Sequence, residues 1–262
     1  MTNLAGKTAL ITGSTSGIGL GIATELAKAG VNIILNGMGN AEEIEATRAK
    51  LASDYNVRVL YNGADLSRPD QIKIMCDKIV EHTDGVDILV NNAGIQHVAP
   101  LVDFPEEKYE AIIAINMNSI FYTMKYCLPV MQKKGWGRVI NIASAHGLVA
   151  SPFKSAYVAA KHGVVGMSKA AALEVAPDNI TVNTICPGYV LTPLVENQIR
   201  DQAKVHNLPE DEVIEKIILA PQAIKKFASI DDVAAMTLFL CGDHAQSITG
   251  SQFSIDGGWT AR

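Results

Sequence analysis

The chain predicts an α/β protein built on one doubly wound parallel sheet with helices on both faces. Three observations carry that expectation. Apolar strand-like runs alternate with helix-like runs from the first residues onward, which is the pattern of successive βαβ units. A glycine-rich turn, GSTSGIG at 13–19, stands where the first strand meets the first helix. No linker, low-complexity stretch or internal repeat divides the 262 residues, so 1–262 reads as a single domain.

The elements follow in order. Residues 7–12 (KTALIT) form a short apolar strand ending at Gly13. Helical spacing over 18–29 stops at Gly30, a C-terminal glycine signal. Strands are expected at 31–35 and 58–61, with a polar helix at 42–55 between them. A helix over 69–83 carries Pro69 in its first turn. Strand four is 86–90, two helices cover 105–132, and strand five is 138–142. A long helix at 156–175 precedes strand six at 181–185; the helix at 230–241 precedes a last strand at 252–255. The polar segment 192–227 breaks this rhythm, and an insertion of that length reads as a helical lid over a substrate.

Composition narrows the function. Hydrophobic residues make up 48% and charged residues 19%, which favours a packed core over disorder. A net charge of −5 argues against a nucleic-acid partner, which requires a basic face. Cys76, Cys127, Cys186 and Cys241 form no CxxC pair, so neither a disulfide framework nor a metal site is indicated. No signal-peptide pattern opens the chain and no run approaches the roughly 20 apolar residues of a membrane span. A soluble, cytoplasmic protein with no membrane partner is expected.

Gly13, Gly17 and Gly19 permit a tight turn and a close approach of the backbone to a pyrophosphate, with the free N–H groups of the helix start behind them. The spacing is GxxxGxG rather than GxGxxG. The place of the usual ribose-binding acid reads Asn36-Gly37-Met38-Gly39. No Arg or Lys stands there to meet a 2′-phosphate, so NAD is expected rather than NADP. Asp65 fits either an acceptor for the adenine amino group or a turn residue opening the next helix.

Tyr157 and Lys161 lie four apart on one helical face. A free tyrosine, with a pKa of about 10, is a poor base at neutral pH. A cation roughly 5 Å away favours the phenolate by about 3 kcal/mol at an effective dielectric near 20; the positive nicotinamide ring of an oxidised cofactor would add to this, and together they would bring Tyr157 into range for general base catalysis. YxxxK alone is common, but here it has company. Asn91-Asn92-Ala93-Gly94, Ser144 and Pro187-Gly188 end strands four, five and six, at the edge where such sheets bind ligands.

With TGSTSGIG (12–19), NNAG (91–94), Asn116, Ser144, YVAAK (157–161) and PG (187–188), the chain resembles the short-chain dehydrogenase/reductase family along its whole length. The resemblance implies a single-domain Rossmann-type fold and a catalytic set of Asn116, Ser144, Tyr157 and Lys161. Tyr157 would exchange a proton with the substrate oxygen, Ser144 would hydrogen-bond that oxygen, Lys161 would hold the ribose, and Asn116 would support a water linking Lys161 to solvent. Cofactor contacts would come from Gly13, Thr15, Ser16, Gly17, Ile18 and Gly19, from Asn36, Asp65 and Leu66, from Asn92, Ala93 and Gly94, from Tyr157 and Lys161, and from Pro187, Gly188, Val190 and Thr192.

A narrower resemblance is to the bacterial D-3-hydroxybutyrate dehydrogenases, carried by AGIQHVAPLVDFP (93–105), SAHGLVASPFKSAY (144–157) and PGYVLTPLVENQI (187–199). It implies that Gln96, His146, Lys154 and Gln198 grip a carboxylate beside Ser144 and Tyr157, with Trp259 closing the apolar side. Charge-assisted hydrogen bonds suit a small acid that offers little apolar area. The expected reaction is NAD-dependent, reversible oxidation of (R)-3-hydroxybutyrate to acetoacetate. The alternatives are an NADPH-dependent 3-oxoacyl-thioester reductase, a sugar or polyol dehydrogenase, and a non-catalytic dinucleotide-binding protein. By resemblance the chain is also expected to form a homotetramer.

Overall fold

The computed structural model describes residues 4–261, and every strand pairing within them is parallel. In chain order the strands are β1 (Thr8–Ile11), β2 (Asn32–Asn36), β3 (Val59–Asn62), β4 (Ile88–Asn91), β5 (Gly137–Ile142), β6 (Ile180–Pro187) and β7 (Gln252–Ile255). Their order across the sheet is β3-β2-β1-β4-β5-β6-β7. The winding therefore reverses between β1 and β4, and a crevice opens above their C-terminal ends. β4 and β5 are buried along their whole length, as inner strands of a sheet covered on both faces are.

Helices cover both faces. On one side, α1 (Gly17–Lys28) and α9 (Ile230–Cys241) bury Ile22, Leu26, Val233 and Leu240 against the sheet. On the other, α3 (Pro69–His82), α5 (Ser119–Lys134) and α6 (Ser155–Val175) bury Ile72, Met75, Met124 and Val164. The polar helix α2 (Ala41–Tyr55) buries only Ile44 and Leu51. Asn40 starts it, its side chain accepting from the backbone N–H groups of Glu42 and Glu43.

Two stretches depart from the sequence-based expectation. β6 runs eight residues, longer than 181–185, because β5 and β7 flank it and every one of its residues is buried. The two helices expected over 105–132 are α4 (Glu106–Ile113) and α5, joined without a break by a π turn at Ala114–Asn118. Such a turn displaces the helix locally and is common at functional sites. It carries Asn116.

The segment 192–227 contains α7 (Pro193–His206), α8 (Glu210–Val213) and a π turn at Ile214–Ile218. It has an apolar cluster of its own, Val195, Ile199, Val213, Ile218 and Leu219, with Tyr189 and Phe227 packed against it. Among the described residues, no helix is long and apolar enough to cross a membrane.

Candidate active site

A cleft of about 480 Å³ opens over the C-terminal ends of the sheet. Its walls contain nearly all the site residues expected from the sequence. Gly13, Thr15, Ser16, Gly17 and Ile18 line one end, with Asn36, Asp65 and Leu66 beside them. Asn92, Ala93, Gly94, Ser144, Tyr157 and Lys161 form the middle. Pro187, Gly188, Val190 and Thr192 lie opposite, and Gln96, His146, Lys154, Gln198 and Trp259 close the far end. Gly19 and Asn116 are not among the lining residues.

The glycine turn is built to receive a ligand. A Cβ on Gly19 would fall 2.3 Å from the Gly13 carbonyl oxygen and 2.5 Å from Asn92 Nδ2, so α1 can approach the turn only with glycine there. Ser16, at the N-cap of α1, makes no side-chain cap, and no acidic residue stands in the first turn. The N–H groups of the helix start are thus left for an anion. Asn92 is occupied in holding this turn to β4: its Nδ2 donates to the carbonyl oxygens of Thr12 (3.0 Å) and Gly13 (2.9 Å). Thr12 returns the link, its Oγ1 accepting from the backbone N–H groups of Asn92 and Ala93.

Asn36 is fully buried. Its Nδ2 donates to the carbonyl oxygens of Asn62 (3.0 Å) and Ala64 (3.1 Å), while Oδ1 is buried without a partner. A lone acceptor in a cleft wall fits a ribose hydroxyl. Asp65 is largely a turn residue, its Oδ1 accepting from Ser67 N (2.9 Å) and Ser67 Oγ (2.8 Å). The lining near Asn36, Gly37 and Met38 contains no cation.

Ser144, at the start of the short turn after β5, accepts a bond at Oγ from the backbone N–H of His146 (3.1 Å). Tyr157 and Lys161 rise from the first turns of α6. Lys161 Nζ donates to the Ile142 carbonyl oxygen (2.8 Å) and lies 5.6 Å from the Tyr157 ring centroid. Burial brings the Lys161 ammonium down to about 8. Burial also raises the Tyr157 phenol, and the group opposing that rise is Ser144, by a hydrogen bond. The sequence reading makes Lys161 and the positive nicotinamide ring together the groups that draw the phenol down, and burial works against both.

Asn116 sits on the π turn, facing the loop after β4. Its side chain is paired with Ile95: Oδ1 accepts from Ile95 N (2.8 Å) and Nδ2 donates to Ile95 O (2.9 Å). The amide thereby anchors the loop after β4 to the π turn. Behind the site, a buried chain of bonds joins β4 and β5 to α5 and α6. Thr123 Oγ1 donates to Asn91 Oδ1 (2.7 Å), Asn91 Nδ2 to Asn141 Oδ1 (2.8 Å), and Asn141 Nδ2 to Ser168 Oγ (2.8 Å). Fully paired networks of this kind hold one arrangement.

At the far end, Phe153 adopts a left-handed backbone (φ 66°) immediately before Lys154, with its carbonyl accepting from Ala99 N (3.0 Å). A non-glycine residue in that region marks a constrained turn. Lys154 is 5% exposed, and burial lowers its ammonium to about 8. Its Nζ donates to Tyr189 Oη (2.8 Å), with no carboxylate partner among the described residues. His146 is held neutral, its pKa lowered to about 3 by burial first and then by Lys154 and His162. Its ring meets Trp259 edge-on at 4.9 Å, and Trp259 stacks on Tyr189 at 5.6 Å. Gln96 Oε1 is buried without a partner.

Sequence reasoning missed Tyr189 and Gln222. Gln222 is buried, its Oε1 accepting from Tyr189 N (3.3 Å) and its Nε2 donating to the Lys226 carbonyl oxygen (2.7 Å). A Cβ on Gly188 would meet that Oε1 at 2.8 Å, which explains the glycine of the PG turn. Tyr189 follows that turn directly, a signal that was present but carried no chemistry. Gln222 lies far along the chain and had none.

The family model described as enoyl-(acyl carrier protein) reductase matches residues 13–260. The chain is 56% identical to the D-beta-hydroxybutyrate dehydrogenase of Rhizobium meliloti (strain 1021), over 98% of this chain and 99% of that one. It is 50% identical to the D-beta-hydroxybutyrate dehydrogenase of Cupriavidus necator, over 99% of this chain and 100% of that one. Among solved structures, an actinorhodin polyketide ketoreductase with NADPH aligns at a TM-score of 0.92 with 31% identity, covering 100% of both chains.

Proposed function

Because the chain belongs to the short-chain dehydrogenase/reductase family, we propose that it catalyses the reversible, NAD-dependent oxidation of (R)-3-hydroxybutyrate to acetoacetate. The observation that carries the substrate is Lys154, a buried ammonium bonded to a phenol and to no carboxylate, at the end of the cleft that holds Ser144 and Tyr157. A buried charge without a counter-ion is costly. A small carboxylate supplies the missing partner, and the two high-identity relatives carry a matching name.

The residues divide the work. The start of α1 and the turn at Gly13–Gly19 take the pyrophosphate, Asn36 Oδ1 the adenosine ribose, and Lys161 the nicotinamide ribose. Thr192 and Val190 border the nicotinamide end. The bound nicotinamide supplies a hydride acceptor. Lys154, with Gln96 and Gln198 beside it, orients the carboxylate. Ser144 Oγ holds the substrate hydroxyl, and Tyr157 Oη receives its proton as the carbonyl forms. His146, being neutral, acts as ring wall and hydrogen-bonding neighbour of Ser144 rather than as a second cation. Asn116 fixes the loop carrying Gln96 through Ile95.

NAD is preferred to NADP because no cation lines the cleft beside Asn36, Gly37 and Met38. The same feature weighs against an NADPH-dependent thioester reductase. A purely binding protein has no use for Ser144, Tyr157 and Lys161 together in one cleft.

Turnover decides the reading. NADH formation is followed with NAD and with NADP, on (R)- and then (S)-3-hydroxybutyrate. Rapid turnover of the R acid with NAD alone is expected; no turnover of either acid overturns the substrate.

A homotetramer is part of the proposal, supported by the exposed apolar side chains Tyr109, Phe121 and Leu173 and by β7 at the sheet edge. Sedimentation as a monomer would refute it. The four free, buried cysteines support a cytoplasmic setting.

A further inference from the structure

Tyr189 has an unusual set of restraints for a residue after a turn. Its backbone N–H donates to Gln222 Oε1 (3.3 Å), and its carbonyl accepts from Ala228 N (2.9 Å). Its ring stacks on Trp259 with an interplanar angle of 7°. Trp259 is itself placed by a C-terminal turn in which Asp256 accepts from the N–H groups of Gly258 and Thr260, both at 3.0 Å. The phenol is thus held from two sides by distant parts of the chain, one of them the end of the 192–227 segment.

What that phenol touches is the cation. Lys154 Nζ donates to Tyr189 Oη at 2.8 Å and stands 5.1 Å from the ring centroid. Lysine is flexible, with several rotatable bonds and large rotamer entropy. Without a restraint, the ammonium would gain hydration by swinging toward the open side of the cleft. The Tyr189 oxygen and ring face oppose that, because both favour the ammonium at this spot. The oxygen also keeps its own O–H, and that donor remains for an anion arriving at the same ammonium.

We propose that Tyr189 is the positioning residue of the carboxylate subsite: it holds the Lys154 ammonium in place and donates its O–H to the same carboxylate, and so sets the preference for an acid over a neutral compound of equal size. The proposal rests on the reading of Lys154 as the carboxylate-binding residue. It does not require that the acid be 3-hydroxybutyrate.

Binding of butyrate and of butyramide to the NAD-loaded protein separates the two. Calorimetry is run on the unaltered protein and on Tyr189→Phe, Lys154→Ala and the double variant. Neither probe carries a hydroxyl to oxidise, so the result stands apart from turnover. Tyr189→Phe keeps the ring and its stack on Trp259. It is expected to weaken butyrate about tenfold and to leave butyramide unchanged. In the Lys154→Ala background the same change is expected to have almost no further effect, because the two residues act as one unit. Equal weakening of both probes would make Tyr189 a packing residue and overturn the proposal. So would additive losses, or a protein that binds butyrate no better than butyramide. If butyrate behaves as expected while 3-hydroxybutyrate is not turned over, the subsite stands and only the substrate falls.

Discussion

Lys161 Nζ donates a 2.8 Å hydrogen bond to the carbonyl oxygen of Ile142, the last residue of β5. The bond joins the helix that carries Tyr157 to the strand that presents Ser144. It holds a buried ammonium at one place in the cleft, with the Tyr157 ring 5.6 Å away. The chemistry therefore depends on a fixed relation between α6 and β5, and this can be tested.

Tyr157→Phe removes the proton acceptor and keeps the ring. Activity is expected to fall by about 10³-fold or more, while NAD titration still shows binding. Lys161→Ala is expected to lose activity and also to weaken NAD. Turnover by Tyr157→Phe close to that of the unaltered protein would exclude the phenol as the base.

Ser144 controls where Tyr157 titrates. Its hydrogen bond lowers a phenol that burial has raised. The base form exists above the phenol's pKa, so the oxidation rate rises with pH. Ser144→Ala removes the lowering contact, and the rising limb of kcat against pH is expected to move to higher pH, with a reduced plateau. A limb that stays in place would mean that the profile belongs to another group.

Lys154 should be visible from the substrate side. Its ammonium is charged below about 8, so KM for the acid is expected to be flat below that pH and to climb above it. Lys154→Ala should raise KM and flatten that climb. Stability moves the opposite way. The folded pKa lies below the ordinary lysine value of 10.5, so the unfolded chain binds more protons between about 8 and 10.5, and folding stability rises with pH across that window. Below it the buried charge opposes folding by at most about 3 kcal/mol. Lys154→Met should accordingly raise the melting temperature at neutral pH while losing the acid, which thermal unfolding and kinetics measure side by side.

Gly19→Ala tests the cradle. The added methyl would collide with the Gly13 carbonyl oxygen and with Asn92 Nδ2. A loss of about 1–3 kcal/mol of stability is expected, together with much weaker NAD binding. Unchanged affinity would mean that α1 and the turn can separate without harm to the cofactor site.

Much of this was legible in the chain. Alternating strands and helices specify the sheet, because an apolar run of strand length can be buried only between neighbours and a helix of period 3.6 must cover it. The glycine turn, Ser144, Tyr157 and Lys161 are separated by fixed local geometry, and each ends or begins a predicted element. Their meeting in one cleft follows from parallel strands bringing all their C-terminal ends to one edge.

The remainder depended on which side chains were left with something to bind. Asn36 and Asn92 read as cofactor contacts, Asp65 as either a cofactor contact or a turn residue, and Asn116 as a member of the catalytic set. Three of them turned out to bond largely to the protein's own turns and loops: Asp65 to Ser67, Asn92 to Thr12 and Gly13, Asn116 to Ile95. Asn36 keeps a single acceptor. Tyr189 gave no chemical signal in sequence, because its role depends on Lys154, Trp259 and Gln222, which come from three distant segments. Residue types and local spacing, set by backbone periodicity, determine the fold and the reacting groups. Burial and partner choice depend on long-range packing, so only the tertiary structure decided that Lys154 is a desolvated cation facing a phenol, that His146 is neutral, and that Ser144 rather than Lys161 opposes the rise of the Tyr157 phenol.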